Sequence, residues 1–483
     1  GSMASTDAAC PSSPATRSPR PMLSAERRES LGHMYSLVGT HSAVKLCRWQ
    51  KSMMRGRGGC YKWTMYGIQS HRCMEATPSL GCANKCTFCW RLNSNPTITE
   101  WKYKVDEPKG LVNDMITQHQ ALVKNAKGMV GCLPEKYDEA LQPRHCALSL
   151  VGEPIIYPKI NEFVDELHSK GISTFLVNNG QFPEAIRDLK PITQLYLSVD
   201  AADREMLKEL DRPAFPDYWE RMLRSIDYMR EKKCRTVFRL TLIQGFNMRR
   251  AAALDGGDNE DTSRPSTALA GAASPPAFSM AAPGIDDAEN FASLIIRGRP
   301  DFVELKQLTP AFQGNDKSPF RLSNVPSWDQ IVVFARAVVC AVDKQLASPT
   351  ADAQKGKSFI PATGEVGPRP LLGYSLACGH EHSSCLLLAR NDYELTTDVD
   401  AAANVEGPRR WKTWIDFDKW RHLTMSPGSM AADTITAHDY AIETPQWALF
   451  EAPAKGFDPK QTRFISNRAK KHLLKEDREN GTN

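Results

Sequence analysis

Six short runs constrain the fold of this chain more than any other feature. "HCALSLVG" (145–152), "STFLVNN" (173–179), "LYLSVD" (195–200), "TVFRLTLI" (236–243) and "DFVELKQL" (301–308) are apolar or β-branched and of strand length, and a sixth lies near Cys73–Pro78. Longer stretches with helical apolar spacing follow them, such as Ile160–Lys170 and Tyr218–Lys232. Repeated strand–helix units imply a parallel sheet, because parallel neighbours need a crossover. Six units are too few for a closed eight-fold barrel, so the expected class is α/β with an open, partial (βα)6 barrel. In such architectures chemistry gathers at the C-terminal ends of the strands. This chain places Gly152-Glu153-Pro154, Asn178-Asn179, Asp200 and Lys306 there.

Composition sets the boundaries. The 483 residues are 41% apolar and 24% charged, which is globular usage. No run approaches the roughly 20 apolar residues a membrane helix needs. Residues 1–30, rich in Ala, Ser and Pro, read as a disordered lead-in behind a tag scar at Gly1-Ser2-Met3, with a mitochondrial presequence as the alternative. A basic extension is expected over 31–80, the barrel over 73–345 and a C-terminal extension with a basic tail over 371–483. Two insertions rich in Ala, Gly, Ser and Pro, about 249–285 and 346–370, read as flexible. Between Lys45 and Arg72 lie seven Lys or Arg and no acid, interleaved with Trp49, Tyr61, Trp63 and Tyr66. This block and Lys455–Arg478 point to phosphate binding, against the plainer reading of a solvated face.

Cys82, Cys86 and Cys89 follow the first strand at C-x3-C-x2-C, with Phe88 before the third. In a reducing setting clustered thiols are more often metal ligands than disulfides. A structural zinc site wants four ligands, and no fourth Cys or His is near in sequence. A 4Fe–4S cubane on three thiolates leaves one iron open, which is what catalysis wants. Cys47, Cys60 and Cys73 form a second triplet, spaced C-x12-C-x12-C. The other cysteines, Cys132, Cys146, Cys234, Cys340, Cys378 and Cys385, read as buried small hydrophobes, with Cys10 in the lead-in.

The first triplet, with "GEP" (152–154) after the second strand, resembles the radical S-adenosylmethionine (SAM) superfamily. The stretch 41–91, "HCALSLVGEP", "QLYLSVDA", "FVELK", "HEHSSCLLLA" and "TPQWALF…GFDPKQTR" resemble the tRNA 4-demethylwyosine synthases of wybutosine biosynthesis, from about Leu31 to Arg463 outside the insertions. The chain departs from that pattern at Asn178-Asn179-Gly180 and Gln307. It is expected to be a form without the N-terminal flavodoxin-like domain that many such enzymes carry.

The resemblance implies a lyase with two 4Fe–4S clusters, one on Cys82, Cys86 and Cys89 and one on Cys47, Cys60 and Cys73. It implies SAM cleavage to a 5′-deoxyadenosyl radical, hydrogen abstraction from the methyl of 1-methylguanosine beside the anticodon of tRNA-Phe, and addition to pyruvate to give 4-demethylwyosine. Lys62 becomes the catalytic candidate, since a neutral lysine amine forms a Schiff base with a carbonyl. Phe88, Gly152, Glu153, Pro154, Asn179, Ser198, Asp200 and Arg239 are expected on the SAM side. Partners are the tRNA anticodon arm and an external flavin reductase or flavodoxin-like donor, with no membrane and a cytoplasmic location, a mitochondrial one being the alternative. A methylthiotransferase and a zinc-binding RNA module are the alternatives.

Arg239 and Lys306 lie inside strand-like runs, where a charge needs a partner. His380-Glu381-His382 lacks zinc-protease spacing and reads as scaffold or RNA-facing surface. Trp411, Trp414, Phe417 and Trp420 read as core packing, with base stacking as the alternative.

Overall fold

The computed structural model describes residues 19–89, 95–249, 286–309, 319–348, 372–395, 409–425 and 434–462. Nearly all of both insertions, Cys10 and most of the basic tail lie outside the described residues.

The strands are β1 (Ser36–Val38), β2 (Ser42–Lys45), β3 (Cys73–Thr77), β4 (His145–Leu148), β5 (Ser173–Asn178), β6 (Gln194–Ser198), β7 (Arg235–Leu242), β8 (Phe302–Gln307), β9 (Tyr374–His380) and β10 (Cys385–Arg390). β3 to β8 are the six expected strands, and they pair in parallel and in chain order. Each crossover is helical, including Pro108–Asn125, Ile160–Ser169, Tyr218–Glu231 and Asp287–Gly298.

The sheet has ten strands rather than six. β2 runs antiparallel to β3, and β10 antiparallel to β8, so the flanking extensions continue the barrel sheet at both edges. β10 is missing from the expected strands, although it is an apolar run buried on both faces like β4 and β5.

Helices cover the outer face of the sheet. Phe163, Val164, Leu167, Ile226, Met229, Phe291 and Val338 pack there against Met74, Leu148, Leu176, Leu195, Phe238 and Leu305. The opposite face carries a second buried cluster of Tyr66, Phe175, Tyr196, Phe302, Trp411, Trp420 and Tyr440. The tryptophans Trp411 and Trp420 are thus core, as expected, and Trp414 donates its indole N–H to Thr64 O at 2.9 Å.

Three expectations are corrected. Residues 19–30 are not a disordered lead-in: Ser24 caps a helix over Ala25–Gly32, and Met22, Leu23 and Leu31 pack with Tyr35, Leu80 and Ile98. Cys340 is exposed and Cys132 half-buried, so neither is a core residue. The segment Leu322–Ala347 does have the length and composition of a membrane span. One face of its helix, carrying Ile331, Phe334, Ala335, Val338, Ala341 and Val342, is buried in the core of this fold.

Candidate active site

A cavity of about 340 Å³ opens at the C-terminal ends of the parallel strands. All fifteen residues singled out above line it: Lys62, Phe88, Gly152, Glu153, Pro154, Asn179, Ser198, Asp200, Arg239 and the six cysteines of the two triplets.

The loop after β3 carries the first triplet and is held by backbone bonds. Cys82 N–H donates to Pro96 O at 3.1 Å, and its carbonyl accepts from Ile98 N–H at 3.0 Å. Lys85 and Thr87 donate to Asp211 O and Leu210 O, at 3.0 and 2.8 Å, fastening the loop to the end of the helix Arg204–Asp211. The second triplet comes from three elements. Cys47 precedes the helix Arg48–Met54 and accepts Gln50 N–H at 3.4 Å. Cys60 precedes the helix Tyr61–Tyr66, and its sulfur accepts the Ser70 hydroxyl at 3.4 Å. Cys73 opens β3.

Burial pushes the Cys47, Cys73 and Cys86 thiols up. Glu75, Cys60 and Cys73 push Cys47 the same way, and Asp211, Cys89 and Cys82 push Cys86. Thiols of each triplet therefore feel one another, and Cys47, Cys73 and Cys86 are held towards the protonated form. A metal centre reverses this, because coordination requires the thiolate. Among the described residues no three Cys, His, Asp or Glu side chains converge on a single metal ion. A cubane presents a separate iron to each thiolate, so its ligands need not share one point.

Glu153 shows how the side expected to meet SAM is built. Its backbone N–H donates to Gly81 O at 2.8 Å, tying "GEP" to the cysteine loop. Gly152 has φ +74°, and a Cβ there would collide with the Ser79 carbonyl oxygen, so only glycine allows this approach. One Glu153 carboxylate oxygen accepts Asn179 N–H at 3.1 Å, while the other is buried without a hydrogen bond. Burial pushes Glu153 up to about 8, against the pull of the Asn179 and Ile155 N–H groups. A buried acceptor without a donor is costly, and an ammonium group would satisfy it. Nearby, Asn179 Nδ2 reaches Cys82 Sγ at 3.5 Å, Arg239 donates to Ser198 Oγ at 3.1 Å, and Asp200 accepts Thr241 N–H at 3.1 Å.

Ligand binding here should be coupled to proton release. At pH 7 a carboxyl with a value near 8 is mostly protonated, and an arriving ammonium favours its ionised form. SAM binding at pH 7 is expected to release close to one proton from this group. Calorimetry in buffers of different ionisation enthalpy should record that release in the wild type and its loss in Glu153→Gln.

Lys62 sits in the helix Tyr61–Tyr66, only 9% exposed, with its ammonium 5.7 Å from the centre of the Tyr196 ring. Distant residues pin this helix. Thr64 Oγ1 donates to Gly456 O at 2.8 Å, Thr413 Oγ1 to Met65 O at 2.7 Å, and Trp63 Nε1 to Asp458 at 3.3 Å.

Sequence reasoning missed Glu75, Asp211 and Trp49 as lining residues. Glu75 carried a usable signal, an acid within β3 paired to Lys45 of β2. Asp211 carried none, since it ends an ordinary amphipathic helix. Trp49 meets the rings of His380 and His382 edge-on at 5.9 and 5.8 Å, so His380-Glu381-His382 lies beside the cavity. Of the basic residues in 45–72, Arg48 and Lys51 are exposed, whereas Lys62 is buried.

Residues 77–255 match the radical SAM superfamily model. The match runs from the end of β3 past β7, so this part of the barrel is similar to radical SAM domains. That family implies SAM and a 4Fe–4S cluster, in keeping with the open Glu153 oxygen and the thiol triplet beside it.

The chain is also a relative of proteins named S-adenosyl-L-methionine-dependent tRNA 4-demethylwyosine synthase. It is 40% identical to the TYW1 of Xenopus laevis over 448 residues, 92% of this chain and 50% of that protein. It is 43% identical to the synthase of Oryza sativa subsp. japonica, over 90% of this chain and 54% of that one. The chain thus spans about half the length of the curated relatives it matches. Two solved structures are similar to the chain over 77% of its length. A structure of TYW1 with a lysine–pyruvate adduct bound has a TM-score of 0.54 and 27% identity, covering 77% of this chain and 97% of that one. An archaeal TYW1 has a TM-score of 0.50 and 28% identity, covering 77% and 98%.

Proposed function

We propose that this chain is a radical SAM tRNA 4-demethylwyosine synthase, which condenses 1-methylguanosine beside the anticodon of tRNA-Phe with pyruvate. The observation that carries this reading is that two cysteine triplets and Lys62 line one cavity. The relatives' name and the lysine–pyruvate adduct of a similar structure support it.

In this reading Cys82, Cys86 and Cys89 hold the cluster that meets SAM, and Cys47, Cys60 and Cys73 hold a second one. When bound, cluster and SAM supply the one-electron chemistry that removes a hydrogen atom from the substrate methyl. Glu153 takes the SAM ammonium through its open oxygen, on a segment that Gly152 presses against the cysteine loop. Pro154 and Asn179 flank that carboxylate, and Phe88, Ser198, Asp200 and Arg239 line the remainder of the SAM side. The amine of Lys62 adds to the keto carbon of pyruvate and water leaves, giving an imine. Exposed Arg48 and Lys51 contribute to gripping the anticodon arm, whose loop bases can be splayed out to reach a recessed site. A flavin reductase or flavodoxin-like protein supplies the electron.

The test is anaerobic preparation, iron counting and product mass. The expected result is about eight irons per chain, falling to about four in Cys60→Ala, and a tRNA carrying the tricyclic base. A colourless zinc protein without response to SAM would overturn the reading. A methylated or methylthiolated product would assign the chain to another radical SAM reaction.

A further inference from the structure

We propose that Lys306 anchors the carboxylate of the 2-oxo acid whose keto carbon Lys62 engages, so that two lysines hold one small anion by its two ends. This deepens the function proposed above and rests on it.

Lys306 lies at the C-terminal end of β8, opposite Cys385 of β10, and lines the same cavity as Lys62. Among the described residues its ammonium makes no hydrogen bond and no ion pair, and it stands over the Tyr61 ring, 5.6 Å from the ring centre. Charged groups stand around it, none of the described ones within ion-pair distance of its nitrogen. Arg239 spends a guanidinium N–H on Ser198 Oγ at 3.1 Å. Glu304, two residues back on β8, accepts the Tyr66 hydroxyl at 2.7 Å with one carboxylate oxygen and leaves the other without a hydrogen bond. Asp200 accepts Thr241 N–H at 3.1 Å. Glu75, across the cavity, feels Lys62, Lys45 and Lys306 together, so cations outnumber it.

A recessed ammonium without a close counter-ion is costly to maintain. It becomes favourable when an anionic ligand completes the site. The placement selects the anion. Lys62 stands over the Tyr196 ring and Lys306 over the Tyr61 ring, and the two rings belong to one buried layer. Both ammonium groups line the one cavity, and Lys306 feels the charge of Lys62. A 2-oxo acid has its carboxylate on the carbon next to its carbonyl, matching one lysine that condenses and one that pairs with charge. Lys306 is in this account a substrate-binding residue, and its guanidinium substitute should serve, because pairing needs a donor cation and not a nucleophile.

The experiment uses the cluster-loaded full chain with pyruvate alone, without SAM or tRNA. Pyruvate affinity is measured by isothermal titration calorimetry, and imine formation at Lys62 by borohydride reduction and peptide mass. Lys306→Met is expected to raise the pyruvate Kd at least about tenfold, as for loss of a charge-assisted hydrogen bond. Lys306→Arg should keep it within about threefold. Trapping of acetone, which has a carbonyl and no carboxylate, should be equal in wild type and Lys306→Met. Lys306→Gln takes the place of the methionine variant if that does not fold.

An unchanged pyruvate Kd in the uncharged variants overturns the inference, and if tRNA affinity falls instead, Lys306 belongs to an RNA phosphate. Wild-type chain that binds pyruvate without trapping at Lys62 sinks the imine role of Lys62, while the calorimetric comparison still decides Lys306. Wild-type chain that binds no pyruvate overturns both.

Discussion

Cys82→Ala is expected to abolish SAM cleavage. The loss should exceed the roughly 10–100-fold that changes outside a metal's own ligands cost. The effect is chemical and not a collapse of the loop, because the contacts that place Cys82 run through its backbone, to Pro96 and Ile98. The neighbouring attachments at Lys85 and Thr87 are also backbone bonds, which an alanine leaves in place. The sulfur itself receives Asn84 N–H at 3.4 Å and Asn179 Nδ2 at 3.5 Å, two weak donors that would otherwise point at a thiolate. The measurement is 5′-deoxyadenosine released under dithionite, with iron content in parallel. Cleavage at the wild-type rate would remove the first triplet from the chemistry.

Lys62→Ala should separate the two halves of the reaction. SAM cleavage and cluster content are expected to persist, while tricyclic product falls by at least about a hundredfold, the lower range for a single positioned reacting group. Lys62→Arg should fall equally, because a guanidinium keeps the charge and cannot condense with a ketone. That comparison distinguishes a nucleophile from a counter-ion for Glu75 or Glu304, both of which feel this ammonium. Product mass and 5′-deoxyadenosine yield from the same reaction check it. Normal product from Lys62→Ala would end the case for a covalent role.

The barrel could be read from the sequence because its strands are buried on both faces and appear as short apolar runs separated by amphipathic helices. The observed strands end earlier than those runs, at Leu148, Asn178 and Ser198. The residues just beyond leave the ladder to line the cavity, as Gly152-Glu153-Pro154 does. β1 and β2 are three and four residues long, and too little pattern fits in that length. The lead-in misled because its composition is that of a tail, whereas Met22, Leu23 and Leu31 are enough to seat a capped helix.

The candidate site was legible where side-chain chemistry is rare, as with thiols at fixed spacing or a cation inside a strand. It was opaque at Asp211 and Trp49, whose local sequence gives no sign of what the fold brings against them. Lys306 stands between these cases. Its position inside a strand raised the question of a partner, and only the folded arrangement shows that its nitrogen faces the cavity with no ion pair among the described residues.

The six-residue helix that bears Lys62 is too short to persist unaided, and its fastenings at Thr413, Gly456 and Asp458 arrive some 350 to 395 positions later. During synthesis the amine therefore lacks part of its support until those late residues dock. A half-made chain carries its thiols and its amine without the full enclosure in which they would act together.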